Sequence, residues 1–262
     1  MTANELFKAG QLAKAVEAQI QEVKTHPADQ SKRLFLFELI VFTGDLDRAK
    51  RQGDLLKYDN IELESAMQTY RKLLDAEAAR RRVFREGTKP LFLGEVPEHV
   101  NLRLDALNRL REGNKAEADS ILKNAIEATP PANGTLNGKP VEHLRDCDDV
   151  LSGIIEVMSH AGYFWVPLEQ IVALNLAAPK YPRDLYWISG HMELAQSAGE
   201  MYLPALYPFS HEHADDAVKL GRHTDWLGGE NEPIRGQGVK LFLAGEDAVP
   251  LLEWREYQAA GA

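Results

Sequence analysis

The sequence predicts an α+β protein with two domains, a helical repeat domain over residues 1–130 and a β-rich, barrel-like domain over residues 141–262. Three observations support this prediction. A short phrase containing a glycine and an alanine recurs in the N-terminal half at a spacing typical of paired helices. The stretch TPPANGTLNGKP at 129–140 is rich in proline, glycine and asparagine, which predicts a linker over 131–140. All four tryptophans follow this stretch.

The repeated phrase has a period of 34 residues. AGQLAKAV and TGDLDRAK place Gly10 and Gly44 one period apart, and a third copy, EGNKAEAD, contains Gly113. In all three copies an alanine follows the glycine by five residues. This pattern is typical of tetratricopeptide-like helix pairs, in which glycine ends one helix and alanine lets the two helices pack closely. Stacked pairs form concave surfaces that hold peptides or helices, so we expect the first domain to be a binding scaffold.

Helical periodicity continues through the first domain. Apolar residues at three- and four-residue spacing predict helices over 11–24, 31–42, 45–57, 62–85, 98–111 and 115–128. The basic run of Arg80, Arg81, Arg82 and Arg85 lies at the end of the longest of these helices. It is predicted to be a solvated face favoured by the helix dipole, with contact to an acidic partner or phosphate as the alternative.

The second domain is predicted to be mostly β. Short apolar runs, among them IIEVM, YFWVP, DLYWI and VKLFLAG, alternate with turn-forming residues. About six such strands can close a barrel-like core. One or two helices are expected among them, including one over 168–176 that follows Pro167.

Charge and cysteine content exclude several classes of protein. The net charge of −10 arises within residues 131–262, because residues 1–130 contain 21 basic and 21 acidic side chains. An acidic surface disfavours nucleic-acid binding. Cys147 is the single cysteine, so no intrachain disulfide can form, and the N-terminus has no apolar signal segment. We therefore expect a cytoplasmic protein that binds neither nucleic acid nor membrane.

The candidate metal ligands are His211, His213 and Asp215 in SHEHADD at 210–216. Imidazole and carboxylate groups suit zinc or a harder ion, and an H-x-H pair on a strand directs both rings to one face. A metal-dependent hydrolase is therefore the alternative function. No H-E-x-x-H motif completes the set, and the sequence favours a solvated acidic loop in which an aspartate begins a helix.

Charged side chains stand beside tryptophans in two other strings, YPRDLYW and LGRHTDW. One interpretation is a partner-recognition surface, because Trp, Tyr and Arg are common at interface hot spots. The other is an internal Arg–Asp pair that fixes loops over a tryptophan core, since a buried arginine needs a counter-charge. The residues concerned are Arg183, Asp184, Trp187, Arg222, Asp225 and Trp226.

No catalytic motif is assembled in the sequence. Walker A, G-x-S-x-G and C-x-x-C patterns are absent. Cys147 lies between acidic residues in RDCDD, which disfavours a reactive thiolate. We expect neither enzymatic activity nor a cofactor.

Several strings, taken in order, resemble the ImpE family, also called TagJ, of accessory proteins of bacterial type VI secretion. They are LFKAGQLAKAVEAQIQEVKTHPAD, YFWVPLEQI, PRDLYW, GEMYLPALYP, LGRHTDW and GQGVKLFLAG. The resemblance implies a helical repeat-like domain joined to a β-rich domain, and a cytoplasmic, non-enzymatic role. It also implies binding to the small sheath subunit of the contractile apparatus and a link to the AAA+ ATPase that disassembles the contracted sheath.

The resemblance and the repeat together suggest a specific hypothesis. A concave helical surface is suited to an amphipathic helix laid into it. We expect the first domain to bind a helical segment of a sheath protein through residues such as Leu34, Phe35 and Phe37, although the same side chains suit a buried core. An alternative is a self-assembling structural protein whose exposed aromatic surface makes a homodimer; the sequence leaves the oligomeric state open.

Overall fold

The computed structural model describes residues 1–261. Its N-terminal half is helical and its C-terminal half is β-rich, which confirms the predicted fold class. The helices are α1 (Ala3–Lys8), α2 (Leu12–Thr25), α3 (Gln30–Thr43), α4 (Leu46–Asp54), α5 (Ile61–Glu86), α6 (Glu98–Arg111), α7 (Lys115–Ala128) and the short α8 (Asp216–Lys219). Of the residues described, no helix is both long and apolar enough to cross a membrane.

The three repeat glycines lie where helices end. Gly10, Gly44 and Gly113 have φ angles of +77°, +76° and +83°, in the left-handed region that glycine adopts without strain. The alanines of the phrase, Ala15, Ala49 and Ala118, are each fully buried. The repeat phrase thus has the role predicted from its residue types, a turn followed by a close helix contact.

Within residues 1–261, thirteen strands follow α7, most of them in one large sheet. They are β1 (Gly134–Leu136), β2 (Lys139–Val141), β3 (Arg145–Asp146), β4 (Ile154–Ser159), β5 (Gly162–Pro167), β6 (Ile171–Leu176), β7 (Trp187–Leu194), β8 (Ser197–Pro204), β9 (Thr224–Gly229), β10 (Glu232–Gly238), β11 (Leu241–Ala244), β12 (Asp247–Pro250) and β13 (Glu256–Ala259). The large sheet has eight strands in the order β2-β1-β13-β6-β7-β8-β4-β5, so it is open rather than a closed barrel. The strands β10-β9 and β12-β11-β3 form two smaller sheets.

Two segments differ from the sequence prediction. Residues 168–176 form a single 3-10 turn, Leu168–Gln170, and then β6 rather than a helix. The run IVALNL pairs with β13 on one side and β7 on the other, and these ladders outweigh its helical propensity. The stretch 131–140 contains β1 and the start of β2, and β1 pairs with β13.

The helices pack directly against the large sheet. One apolar cluster includes residues from α1 through α7 together with residues of β4, β5 and β7. Phe42 of α3 contacts Tyr186 with ring centres 5.4 Å apart, and Phe84 of α5 lies 6.2 Å from Trp165 of β5. The division at residue 130 therefore separates two kinds of secondary structure that share one core, and independent folding of two domains stays a prediction.

Candidate partner-binding site

Arg183 joins the β-rich half to the helices. It precedes β7 in a 3-10 turn, Pro182–Leu185, and donates a hydrogen bond of 2.9 Å to the hydroxyl of Tyr70 in α5. Its guanidinium also forms an ion pair with Glu38 in α3. Burial raises the pKa of Glu38, and the charge of Arg183 opposes that shift. Arg183 is therefore occupied by contacts within the chain.

The expected partner of Arg183 is engaged elsewhere. Asp184 accepts hydrogen bonds from the backbone N–H groups of Lys180 and Tyr181, both at 2.9 Å, and so fixes its own turn. The predicted internal Arg–Asp pair is thus right in placing Arg183 inside the protein. It is wrong about the counter-charge, which is Glu38 of α3.

Arg222, like Arg183, joins the β-rich half to a helix of the first half. It donates to the backbone oxygens of Phe7 and Lys8 at the end of α1, at 2.5 and 2.8 Å. The Asp225 carboxylate instead accepts a hydrogen bond from Nε2 of His213 at 3.2 Å and another from the N–H of Trp226. The sequence places Arg222 and Asp225 close together, but the structure uses them in different contacts.

The aromatic candidates differ in exposure. Trp187 and Phe37 are buried in the shared core, so neither is available to a partner. Trp226 on β9 is 38% exposed and lies beside Tyr207, with ring centres 5.8 Å apart. Leu34 and Phe35 on α3 are half-buried. Only Phe35 of the three α3 candidates lines an open groove, which is described below.

The three candidate metal ligands point to separate contacts. Residues 210–212 form a 3-10 turn rather than a strand, so the H-x-H pair lacks the alternation that would align its rings. The ring of His211 lies against Gly44 of the repeat, where a Cβ atom would be 1.9 Å from the ring. The ring of His213 accepts a hydrogen bond from the Asp215 N–H at 3.0 Å, while the Asp215 carboxylate caps α8.

Each of these three side chains is engaged by its own neighbours. Burial, together with the charge of Arg81, lowers the pKa of His211 to about 4, so this imidazole stays neutral in a packed contact. Within residues 1–261 no group of three or more His, Cys, Asp or Glu side chains is arranged to hold a metal ion.

The sequence analysis did not predict a buried network of charged side chains between α5 and the β-rich half. Arg80 is 2% exposed, and its Nε and Nη2 atoms each lie 2.7 Å from a carboxylate oxygen of Glu156 in β4. Lys240 contacts the same carboxylate at 2.8 Å and Asp146 at 3.0 Å. Burial alone would raise the pKa of Glu156, but the two cations outweigh burial and hold it at about 2. The predicted solvated face of α5 is therefore wrong at Arg80.

The clue to this network was a lone charge within each apolar run. Glu156 interrupts the strand IIEVM and Lys240 precedes LFLA, both in positions where a charge is rarely buried without a partner. Only tertiary structure shows that these two charges and the end of α5 meet.

An open groove lies between α1, α2 and α3. It has a volume of about 390 Å³ and includes Ala18 of α2 and Phe35 of α3. Phe35 packs edge-on against Phe7 with ring centres 6.3 Å apart, so its position is fixed while one side faces the groove. Glu22 and Lys32 form an ion pair at this groove. The groove thus combines an apolar surface with charges of both signs.

Helix pairs with an open groove, packed against a β-rich half, define a protein with a tetratricopeptide-like helical half and an open-sheet half. The ImpE protein family matches residues 138–258. The chain is 33% identical over 257 residues to the type VI secretion system accessory component TagJ of Pseudomonas aeruginosa, covering 98% of this chain and 90% of that relative. The chain belongs to the ImpE family, as the resemblance of its sequence strings predicted.

A solved structure supports the same fold. The crystal structure of protein VPA1032 from Vibrio parahaemolyticus superposes with a TM-score of 0.89 at 27% sequence identity. The match covers 99% of this chain and 98% of that one. The association of a helical half with an open sheet is therefore shared across the full length of both proteins.

Proposed function

We propose that this protein is a non-enzymatic, cytoplasmic accessory factor of a bacterial type VI secretion system. It binds a helical segment of the small sheath subunit and assists sheath handling together with the AAA+ ATPase that disassembles the contracted sheath. The full-length relative in Pseudomonas aeruginosa, an accessory component of such a system, supports this role.

The observation that carries the proposal is the groove between α1, α2 and α3. An amphipathic helix inserts apolar anchors at three- and four-residue spacing into a hydrophobic groove. Phe35 and Ala18 supply apolar surface on facing helices, while Glu22 and Lys32 can meet polar side chains of the partner. The predicted anchors Arg183, Trp187 and Phe37 are occupied inside the protein, which directs the binding hypothesis to this groove.

The first test is calorimetric titration of the purified protein with the N-terminal helical segment of the small sheath subunit encoded beside it. We expect saturable binding of one peptide per chain. A titration without heat at high peptide concentration, together with an unchanged elution volume of the mixture, would remove the sheath-binding part of the proposal.

A matched pair of variants tests the location. Ala18→Arg places a long charged side chain in the groove, whereas Ala13→Arg makes the same change on the same helix at an exposed position outside it. We expect Ala18→Arg to weaken peptide binding at least about tenfold, which corresponds to about 1.4 kcal/mol. Ala13→Arg should bind as the wild type does. Equal affinities in two folded variants would place the partner elsewhere.

The ATPase part of the proposal needs its own measurement. The disassembly rate of contracted sheaths by the AAA+ ATPase is compared with and without the protein, and with the Ala18→Arg variant. We expect the wild type to change the rate and the variant to change it less. Identical rates in all three samples would limit the role to sheath binding.

A further inference from the structure

A second buried arginine lies where α6 meets the β-rich half. Arg103 is fully buried, and its Nη1 atom donates to the backbone oxygen of Asp149 at 2.9 Å and to the hydroxyl of Ser152 at 2.8 Å. Its Nη2 atom donates to the hydroxyl of Thr129 at 2.8 Å. All three acceptors are uncharged, so the positive charge of this guanidinium is not neutralised by these bonds.

No carboxylate forms an ion pair with Arg103 in the part of the chain that the structure describes. The nearest connection runs through His99, whose Nδ1 atom lies 3.5 Å from Arg103 and whose Nε2 atom lies 2.7 Å from Glu169. Burial lowers the pKa of Arg103 to about 10, and the charge of Glu169 only partly opposes this. A buried charge without a counter-ion is costly, so the missing partner calls for an explanation.

A cavity opens beside this guanidinium. Its volume is about 110 Å³, and Arg103, Thr129 and Ser152 line it together with His143 and Arg145. One N–H of the Arg103 Nη2 atom remains without an acceptor within residues 1–261, because this atom makes a single hydrogen bond there. The cavity therefore presents a buried donor that the surrounding protein leaves unused.

The outer wall of the cavity adds further positive charge. Arg145 on β3 is half-buried, and its side chain makes no ion pair or hydrogen bond with another described residue. His143 is exposed and held with a left-handed φ of +52°, its N–H bonded to the side chain of Asn133. The guanidinium of Arg145 and the imidazole of His143 thus line the same cavity as the buried Arg103.

We propose that this cavity binds a small oxyanion, a phosphate or a carboxylate, between Arg103, Arg145 and His143. Guanidinium groups bind such anions with paired, charge-assisted hydrogen bonds, whereas the hydroxyls of Ser152 and Thr129 already donate to the backbone oxygens of Asp149 and Ala125. The cavity is well above the ~10–15 Å³ that one water molecule requires. It is smaller than the ~300–1,000 Å³ of pockets for drug-sized ligands, which excludes a nucleotide.

The acidic character of the surrounding protein means that an anion can be attracted to this cavity only by the groups that line it. Residues 131–262 carry the whole net charge of −10, so their general field repels anions. Anion binding in this half must therefore depend on local groups, and changing one of those groups has a measurable effect. The site is independent of the helix-binding groove, because α1, α2 and α3 contribute no residue to it.

The test is titration of the full chain with inorganic phosphate and, separately, with acetate, at constant ionic strength maintained with chloride. Arg145→Gln removes a half-buried charge without disturbing the bonds of Arg103, and Lys139→Gln removes an exposed charge six residues away that does not line the cavity. We expect one anion per chain, with binding weakened about tenfold in Arg145→Gln and unchanged in Lys139→Gln.

The two anions distinguish the sources of the ligand. Arginine-dependent binding of phosphate identifies a phosphate site, and arginine-dependent binding of acetate alone identifies a carboxylate site. The proposal is overturned if neither anion binds at about 10 mM, a concentration above a millimolar dissociation constant. It is also overturned if Arg145→Gln, with wild-type circular dichroism and melting temperature, binds as the wild type does.

Discussion

Two regions of the interface between helices and strands each bury an arginine, yet they treat its charge in opposite ways. At Arg80 burial lowers the pKa, but the carboxylates of Glu156 and Glu77 together outweigh burial, and the pKa lies well above its ordinary value. At Arg103 the acceptors are uncharged and the pKa falls to about 10. The same residue type on consecutive helices thus forms an ion pair in one region and, in the other, lies beside a cavity without a direct ion pair among the described residues. Both arginines are buried, so burial does not distinguish them. The difference is the counter-charge, which Arg80 has in Glu156 and which leaves Arg103 as the one proposed to bind an anion.

The largest effect is expected where the charge is compensated. Arg80→Met leaves the Glu156 carboxylate buried with Lys240 as its remaining cation. Removing one partner of a buried pair costs about 3–5 kcal/mol of unfolding free energy. Urea denaturation measures the loss, and Arg82→Met, at an exposed position on the same helix, should change little. A loss below about 1 kcal/mol at Arg80 would contradict the cohesive role of the network.

His211 shows how a buried group responds when it can release its charge. Its pKa is lowered from 6.5 to about 4, so the unfolded chain takes up a proton before the folded chain does. The resulting stability is complete above pH 6.5 and is lost as the pH falls towards 4. The wild type should lose about 2–3 kcal/mol more than His211→Gln over this window.

The measurement is urea denaturation at a series of pH values. His160→Gln changes an exposed histidine of the β-rich half and serves as the control, which should follow the wild-type pH profile. Parallel profiles for the wild type and His211→Gln would show that the His211 imidazole is not the source of acid sensitivity.

Arg103→Met should cost less than Arg80→Met, because no carboxylate is left behind. Its loss removes a donor from the Asp149 backbone oxygen and from the hydroxyl oxygens of Ser152 and Thr129, and the Asp149 oxygen keeps the Ser152 hydroxyl as a donor, so about 1–2 kcal/mol is expected. Thermal and urea unfolding in a chloride buffer without phosphate give the comparison. If Arg103→Met lost more unfolding free energy than Arg80→Met, the counter-charge would not be what makes the Arg80 region the more strongly stabilising one.

The smallest effect is expected at the solvent-exposed edge of the interface. Arg222→Ala removes two hydrogen bonds to the end of α1 and should cost about 1 kcal/mol. Hydrogen exchange of the amides in α1 should accelerate, while exchange in α6 and α7 should not change. His223→Ala, one residue further on, is the control. Unchanged exchange in α1 would show that this contact does not hold the N-terminal helix.

Local patterns were predicted well because their causes are local. The glycines of the repeat end helices because few other residues adopt a positive φ. Gly10 and Gly44 both have such a φ and could be identified from residue type and spacing. The helix predicted over 168–176 failed because β6 forms only through pairing with β7 and with β13, which is about 80 residues further along the chain. The two strings with Arg183 and Arg222 marked important residues, but their partners lie in helices far away in sequence.

The sequence by itself determined a helical first half and a β-rich second half, the turns of the repeat, the acidic character of the second half and membership of the ImpE family. These properties follow from residue type and spacing. Tertiary structure alone decided which charges are compensated, that the His211 imidazole is neutral, and where a groove or cavity stays open. The reason is that the energy of a buried charge depends on groups brought together across the fold, such as Arg80 and Glu156, which are 76 residues apart.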